Sequence, residues 1–440
     1  MRQLIIQIGA EIRIKDPTPQ LKKWCDENLV LRNPEEYLWL FRGDGQELVV
    51  PTGTGKEIRK FLTEQDLIEI HLADQAHVQY DGELPLYDYQ RPAVAAMKEQ
   101  SCGILQAPCG SGKTQMGIAL AAELSGKTLW VTHTQDLLNQ SYERAAQYFP
   151  KSTLGKITAG KVMIGSHMTF ATAQTLCKLD LSRYEYVWDT VIVDECHRLA
   201  GTPTQNSLAA RHKYGLSATV HRSDGMIRST FAVLGPVVYR VPDEAVADKT
   251  MKVQICERST GVKVNRCVLD TDGTLEYSKL IPYLINCSER NDQIVKDLKD
   301  NAEHFNLVLS DRLEHLKNLM DLLPEDLRMQ AVMIDGKMQS KSGRLAREKA
   351  IENMRNGKKH FLFASYGLAK EGLDIPRLDR LYLVTPKKDY AVVTQSVGRI
   401  ARTFDGKQDA ICFDYVDDIQ FCQNQFKRRK THYRKAGCIL

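Results

Sequence analysis

Ile104-Leu105-Gln106-Ala107-Pro108-Cys109-Gly110-Ser111-Gly112-Lys113-Thr114 runs from an apolar strand through a glycine turn into a helix that continues over Met116–Leu124. This order turns backbone N–H groups and a helix N-terminus toward one point, a site for phosphate oxygens. Gly110 and Gly112 let the backbone wrap an oxygen cluster that side chains would block. Around them, Ser111 completes the turn, Lys113 offers a point charge to the β- and γ-phosphates, and the Thr114 hydroxyl suits Mg2+. Ala107 stands where the broad pattern G-x-x-x-x-G-K-[ST] has its first glycine, and the flanking strand and helix supply the context the pattern requires.

Outward from this loop, strands and helices alternate. Candidate strands are Gly103–Gln106, Thr128–Thr132, Val162–Gly165, Thr190–Val193 and a short Tyr214–Ser217, with Lys151–Lys161 read as a polar loop. Such alternation implies an α/β fold with a doubly wound parallel sheet. A second α/β block follows Pro242, with strands at Phe305–Leu309, Gln330–Ile334, His360–Ala364, Arg380–Val384 and Ala410–Tyr415. Helices at Leu313–Leu322 and Ser342–Asn356 separate them, and 250–280 reads as an entry strand plus a hairpin around Asp272-Gly273. Upstream, residues 1–80 alternate Leu4/Ile6/Ile8 and Ile12/Ile14 around a helix at Leu21–Leu29, a small α+β module. Within it, Pro51-Thr52-Gly53-Thr54-Gly55-Lys56 imitates a phosphate loop. Glu57 occupies the position that needs Ser or Thr, so the segment reads as a surface turn before a helix at Ile58–Leu62. The expected domains are 1–81, 82–245, 246–420 and a basic tail, 421–440.

With 440 residues, 43% of them hydrophobic and 26% charged, the chain has room for several cores. It holds no run of about 18 apolar residues, which excludes a membrane span of that kind. The N-terminus reads as a strand rather than a signal peptide, and Cys438 lies one residue too late for a prenylation box. Eleven cysteines without a C-x-x-C pair argue against a disulfide framework, a disulfide-linked partner or a zinc site. Cys25, Cys102, Cys177 and Cys412 read as small buried hydrophobes, and a reducing cytoplasm fits best. The net charge of +5 is uneven: residues 1–80 carry −3 and residues 421–440 carry +6. That tail reads either as a phosphate-contacting element or as a solvated end.

Val191-Ile192-Val193-Asp194-Glu195-Cys196-His197 is an apolar strand ending in two carboxylates, an arrangement that calls for a cation at its tip. In this setting Asp194 would bind Mg2+ and Glu195 would orient the attacking water. Further motifs follow in order: Gln90 within Tyr87-Asp88-Tyr89-Gln90-Arg91-Pro92, then Ser217-Ala218-Thr219, Ala364-Ser365-Tyr366-Gly367, Glu371-Gly372-Leu373-Asp374 and Gln395-Ser396-Val397-Gly398-Arg399-Ile400-Ala401-Arg402. Together with the loop, they resemble superfamily two helicases and translocases over residues 84 to 415. The family loop begins A-x-x-G-x-G-K-T, which Ala107 satisfies.

The resemblance implies two tandem RecA-like domains and ATP with Mg2+ as cofactors. It implies that Gln90 meets the adenine edge, for which its donor and acceptor are suited. Lys113, Asp194, Glu195, Gln395, Arg399 and Arg402 would be catalytic, the two arginines reaching the γ-phosphate from the second domain. Spaced three apart, these arginines would share one helix face. Gly372 and Asp374 would lie on the nucleotide side, and Ser217 and Thr219 would couple nucleotide state to movement. Nucleic-acid phosphates would lie near Thr132, His133, Thr172, Ser310 and Ser365. Thr172 reads equally as a cap for a helix starting at Ala173.

Asp-Glu-Cys-His and Val-Gly-Arg-Ile-Ala-Arg, with Arg222 and Asp224 after Ser-Ala-Thr, are most similar to XPB-type and phage branch-migration helicases. Those carry an N-terminal module that engages duplex DNA. In this chain the module's counterpart is acidic, so contact there falls to local shape or to Trp24, Tyr37 or Trp39, which read equally as core. The expected function is an ATP-dependent DNA helicase or translocase acting on forked or branched DNA. The alternatives are the motor subunit of a restriction complex and a nucleic-acid-binding scaffold with a weak ATPase.

Overall fold

The computed structural model describes the chain apart from residues 1–3, 33–36, 75–76, 82–83, 109, 199–207, 221–225, 243, 270–274, 336–340, 371–372, 374 and 388–389. The Asp272-Gly273 hairpin and the Arg222 and Asp224 positions therefore lie outside the described residues. The chain divides into two compact units, Met1–Val246 and Ala247–Leu440.

The first unit contains the N-terminal module and a parallel-sheet core. In the module, Ile5–Ile8 pairs antiparallel with Ile12–Lys15 and parallel with Leu67–Ile70. The register sets Ile6 opposite Ile14, and both are buried with Leu21, Cys25 and Val50. Trp24 packs against Phe61 beside this core, whereas Tyr37 and Trp39 are exposed. The Thr52–Lys56 segment departs from its sequence reading. A 3-10 turn at Thr52–Thr54 leads directly into a helix at Gly55–Arg59, three residues earlier than expected, and Gly53 is buried rather than on a surface turn. A Cβ at Gly53 would stand 2.4 Å from Gly235 N and 2.6 Å from Ala232 O, so glycine is what allows this turn to dock on the helix Ile227–Leu234. Two further bonds fasten the module: Lys213 Nζ donates to Ala10 O at 2.9 Å and Arg211 Nε to Ala73 O at 3.0 Å.

The core sheet of this unit runs Lys161–Val162, Leu154–Thr158, Met168–Thr172, Thr128–Thr132, Thr190–Asp194, His212–Ser217, Cys102–Gln106, Val237–Arg240. Every pairing except the first is parallel. Successive side chains alternate between faces: Leu129 and Val131 enter one core, Trp130 the other. Both faces are covered, as a sheet of parallel strands requires. Two strands depart from the sequence reading. Leu154–Thr158 occupies the middle of the supposed loop, and the strand expected at Val162–Gly165 shrinks to Lys161–Val162, with Met168–Thr172 entering the sheet instead.

The second unit is a six-stranded parallel sheet ordered Gln254–Lys263, Ile411–Asp418, Arg380–Leu383, Asn306–Ser310, Phe361–Ser365, Ala331–Ile334. Leu307, Leu309, Leu362 and Leu381 fill one face, and Val308, Phe361, Phe363 and Tyr382 the other. Residues 421–440 are not a loose basic end. The helix Gln420–Lys435 buries Cys422, Phe426, Arg429 and Tyr433. Arg429 donates from both Nε and Nη2 to Asp414, at 2.8 and 2.7 Å, and the Tyr433 hydroxyl donates to the same carboxylate. Among the cysteines expected in cores, Cys25 and Cys412 are buried, Cys102 is half-buried and Cys177 is exposed.

Candidate active site

The loop after Cys102–Gln106 turns on two left-handed glycines, Gly110 at φ 83° and Gly112 at φ 77°. Gly112 then caps the helix Lys113–Leu124. Glycine is needed here for space as well as for backbone angle, since a Cβ at Gly112 would lie 2.6 Å from Gln90 Nε2. Gln90 is 2% exposed, and both ends of its amide are used. Nε2 donates to Ser111 O at 2.8 Å, and Oε1 accepts from the Tyr87 N–H at 3.0 Å. The Tyr89 hydroxyl donates to the same Ser111 carbonyl at 3.0 Å. Gln90 therefore braces the loop through one N–H and its carbonyl oxygen. Ser111 Oγ is buried and meets no hydrogen-bond partner among the described residues. Lys113 Nζ lies 3.3 Å from Ala107 O and 3.4 Å from Pro108 O, folded back along the loop.

Asp194 ends a strand whose five residues are all buried. Burial, reinforced by the neighbouring Glu195 charge and opposed by Lys113, pushes the Asp194 carboxyl up to about 7. Its Oδ1 accepts from the Glu195 N–H at 2.9 Å. Glu195 itself sits at φ 49°, left-handed backbone that a side chain rarely adopts. Its Oε2 lies 3.3 Å from His197 Nδ1, which is also 2.8 Å from Ser217 Oγ. Ser217 Oγ donates to Thr219 O, so the proton shared with His197 is carried by Nδ1. The Ser217 carbonyl in turn accepts from Ala107 N–H at 3.0 Å. Ser217 therefore bonds the acid pair's histidine through its side chain and the phosphate loop through its backbone. The sequence reading named Ser217 and Thr219 but gave no role to His197 or Tyr89, whose partners become visible only in three dimensions.

An Mg2+ ion fits this donor set. Thr114 presents a hydroxyl at the first turn of the loop helix, and Asp194 is a buried carboxylate whose charge a cation would compensate. Among the described residues no group of three or more His, Cys, Asp or Glu could cage a metal by itself.

The remaining candidates separate into two groups. Thr132 is buried and its hydroxyl donates to Thr134 O at 3.0 Å, with half-buried His133 beside it. Thr172 caps the helix Ala173–Leu176, accepting from Thr175 N at 3.3 Å. Ser310 is buried, accepts from Arg312 N at 3.1 Å and lies 3.3 Å from His315 Nδ1. The hydroxyls of Thr132, Thr172 and Ser310 thus shape strand ends, whereas the neighbouring Ser365 is half-buried on the adjacent strand. Gln395 is buried on the helix Tyr390–Ile400. Arg399 Nη1 donates to Leu373 O at 3.2 Å. The two arginines do not share a helix face, because the helix ends at Ile400 and Arg402 forms an antiparallel bridge with Thr250. Gly372 and Asp374 lie outside the described residues.

A phosphate loop beside an acidic strand tip in one parallel-sheet unit, followed by a second parallel-sheet unit, defines a tandem RecA-like protein. Residues 83–222 match the family of the Type III restriction enzyme res subunit, and residues 289–404 match the helicase conserved C-terminal domain. A protein of Acanthamoeba polyphaga mimivirus named as an ATP-dependent RNA helicase, L396, is 27% identical over 78% of this chain and 65% of its own length. The ATP-dependent DNA helicase uvsW of Enterobacteria phage T4 is 23% identical over 75% of this chain and 68% of its own. The DNA 3'-5' translocase XPB2 of Sulfurisphaera tokodaii is 28% identical over 44% of this chain and 45% of its own. The HsdR subunit of a type I restriction enzyme from Vibrio vulnificus shares the fold, with TM-score 0.56 and 18% identity over 76% of this chain and 65% of that one. The chain thus carries the two domains of a superfamily two helicase, and its relatives include XPB-type and uvsW helicases. Among the described residues, no helix is long and apolar enough to cross a membrane.

Proposed function

We propose that the chain is an ATP-driven DNA helicase or translocase that remodels forked or branched DNA, in a prokaryotic or phage-infected cell. The observation that carries this reading is the Ser217 junction, which bonds the phosphate loop at Ala107 and the acid-pair histidine His197. Such a junction supports a route from the loop to the acid pair, the kind of connection a motor uses. Lys113 and the loop N–H groups bind the phosphates, and Asp194 with Thr114 holds Mg2+. When bound there, the ion would supply positive charge beside the transferred phosphate. Glu195 orients the attacking water, and Arg399 and Arg402 stabilise the charge spread over the γ-phosphate. XPB2 and uvsW are named for DNA and L396 for RNA, so the duplex type is the point to test.

The decisive experiment is an unwinding panel of forks, four-way junctions, plain DNA duplexes and RNA duplexes, with and without ATP. ATP-dependent remodelling of forks or junctions, abolished by Lys113→Ala, is the expected result. Preference for RNA duplexes overturns the DNA reading. Near-normal ATP turnover in Lys113→Ala overturns the site. The restriction-complex alternative, which the family match of residues 83–222 keeps in view, requires a nuclease partner and predicts translocation without strand separation.

A further inference from the structure

Arg402 lies beyond the end of its helix, so something else must fix the backbone that carries it. The carbonyls of Ile400, Ala401 and Arg402 are three successive acceptors at the helix end, where no intrahelical donor remains. All three are occupied. Lys407 Nζ donates to Ile400 O at 2.6 Å and to Arg402 O at 2.8 Å, and the Met251 N–H donates to Ala401 O at 2.6 Å. The third N–H of Lys407 goes to Leu378 O at 2.7 Å, in the turn just before the strand Arg380–Leu383. One ammonium thus ties the segment to the sheet, and its charge faces the negative end of the helix dipole. Burial pushes the amine down to about 8, with Asp379 and Asp409 favouring its charged form and Arg380 and Arg402 opposing it. At neutral pH it therefore keeps its three donors.

We propose that Lys407 is the positioning residue for Arg402: it sets the backbone from which the guanidinium is presented to the phosphate during hydrolysis. The inference rests on the catalytic reading of Arg402, and Lys407 itself touches no nucleotide. An apolar side chain here would leave three carbonyls unsatisfied and free the segment to move, and a displacement of about 1 Å in a catalytic group can cost about a hundredfold in rate.

The test is ATP turnover by the full chain at saturating single-stranded DNA, comparing wild type, Lys407→Met, Arg402→Ala and the double variant. Nucleotide-binding stoichiometry gives the folded fraction of each. Lys407→Met is expected to lower kcat at least tenfold per folded molecule while KM for ATP changes less than twofold. The double variant is expected to be no slower than Arg402→Ala alone, since a misplaced arginine has nothing further to lose once removed. If Lys407→Met does not fold, Lys407→Gln, which keeps two N–H donors, is read the same way. Unchanged kcat, or fully additive losses in the double variant, overturns the proposal. Normal turnover in Arg402→Ala would instead overturn the catalytic reading on which it rests.

Discussion

At the scale of single residues, the chain stores several of its constraints in buried polar groups that reach across the sequence. His315 is one. Its Nδ1 lies 3.3 Å from Ser310 Oγ and its Nε2 3.0 Å from Asn291 Oδ1, and burial, aided by Arg290, pushes the ring down from 6.5 to about 3. The folded chain therefore refuses a proton that the unfolded chain accepts below about pH 6.5. This contribution to stability is full above that pH and falls as the pH drops toward 3. Chemical denaturation at pH 7.5 and pH 5 should show a loss of roughly 2 kcal/mol attributable to this group, from 1.5 pH units at about 1.36 kcal/mol each. His315→Gln should flatten that difference. An unchanged pH dependence in the variant would assign the acid sensitivity elsewhere. The phosphate loop was legible at this scale because its signal is local: two glycines, a lysine and a threonine between a strand and a helix. The bracing contacts of Gln90 were not legible, for the opposite reason. Its partners, Ser111 O and Tyr87 N, are set by how the loop folds back on the preceding turn.

Among the elements, sequence pattern gave strand centres well and edges poorly. Thr128–Thr132 is apolar, central and read to the residue. Met168–Thr172 escaped notice because its Thr169 looks like a loop residue. Inside the sheet its hydroxyl accepts from Gly165 N at 3.1 Å and from Trp188 Nε1 at 3.2 Å, the second a partner no local window contains. Gln254–Lys263 is an edge strand with a mostly polar outer face, so its alternation is weak. The helix bearing Arg399 showed no local stop signal. It ends at Ile400, where the chain pairs with Thr250 and Met251 from 150 residues upstream. The false phosphate loop, Thr52–Lys56, offers the cleanest test of what glycine does in an element. Gly53→Ala drives a methyl into the backbone of Ala232 and Gly235 and should cost about 1–3 kcal/mol in urea denaturation. Gly55→Ala, whose Cβ would meet only Ile12 Cδ1 at 3.6 Å within a helix, should gain about 0.5–1 kcal/mol. Equal effects at the two sites would exclude close backbone docking as the reason for Gly53.

For the whole molecule, the N-terminal module and the first RecA-like core are joined by buried contacts: Gly53 on Ala232, Lys213 on Ala10 and Arg211 on Ala73. The sequence suggested a small α+β module ending near residue 81, and it could not show these bonds, because each links residues more than a hundred positions apart. Module and core should therefore melt together, and their cooperativity should be shared. Stability of this kind also sets the terms on which the chain keeps Glu195. Its left-handed backbone at φ 49° costs about 1–2 kcal/mol, a strain typical of positions kept for their chemistry. Asparagine tolerates that conformation and brings no second negative charge beside Asp194. Glu195→Asn is therefore expected to melt a few degrees higher than wild type while hydrolysing almost no ATP. A variant that melts lower would remove the strain argument. Selection for thermal robustness alone would erase this glutamate, and a library screened only for heat tolerance should accumulate well-folded, inert proteins at position 195.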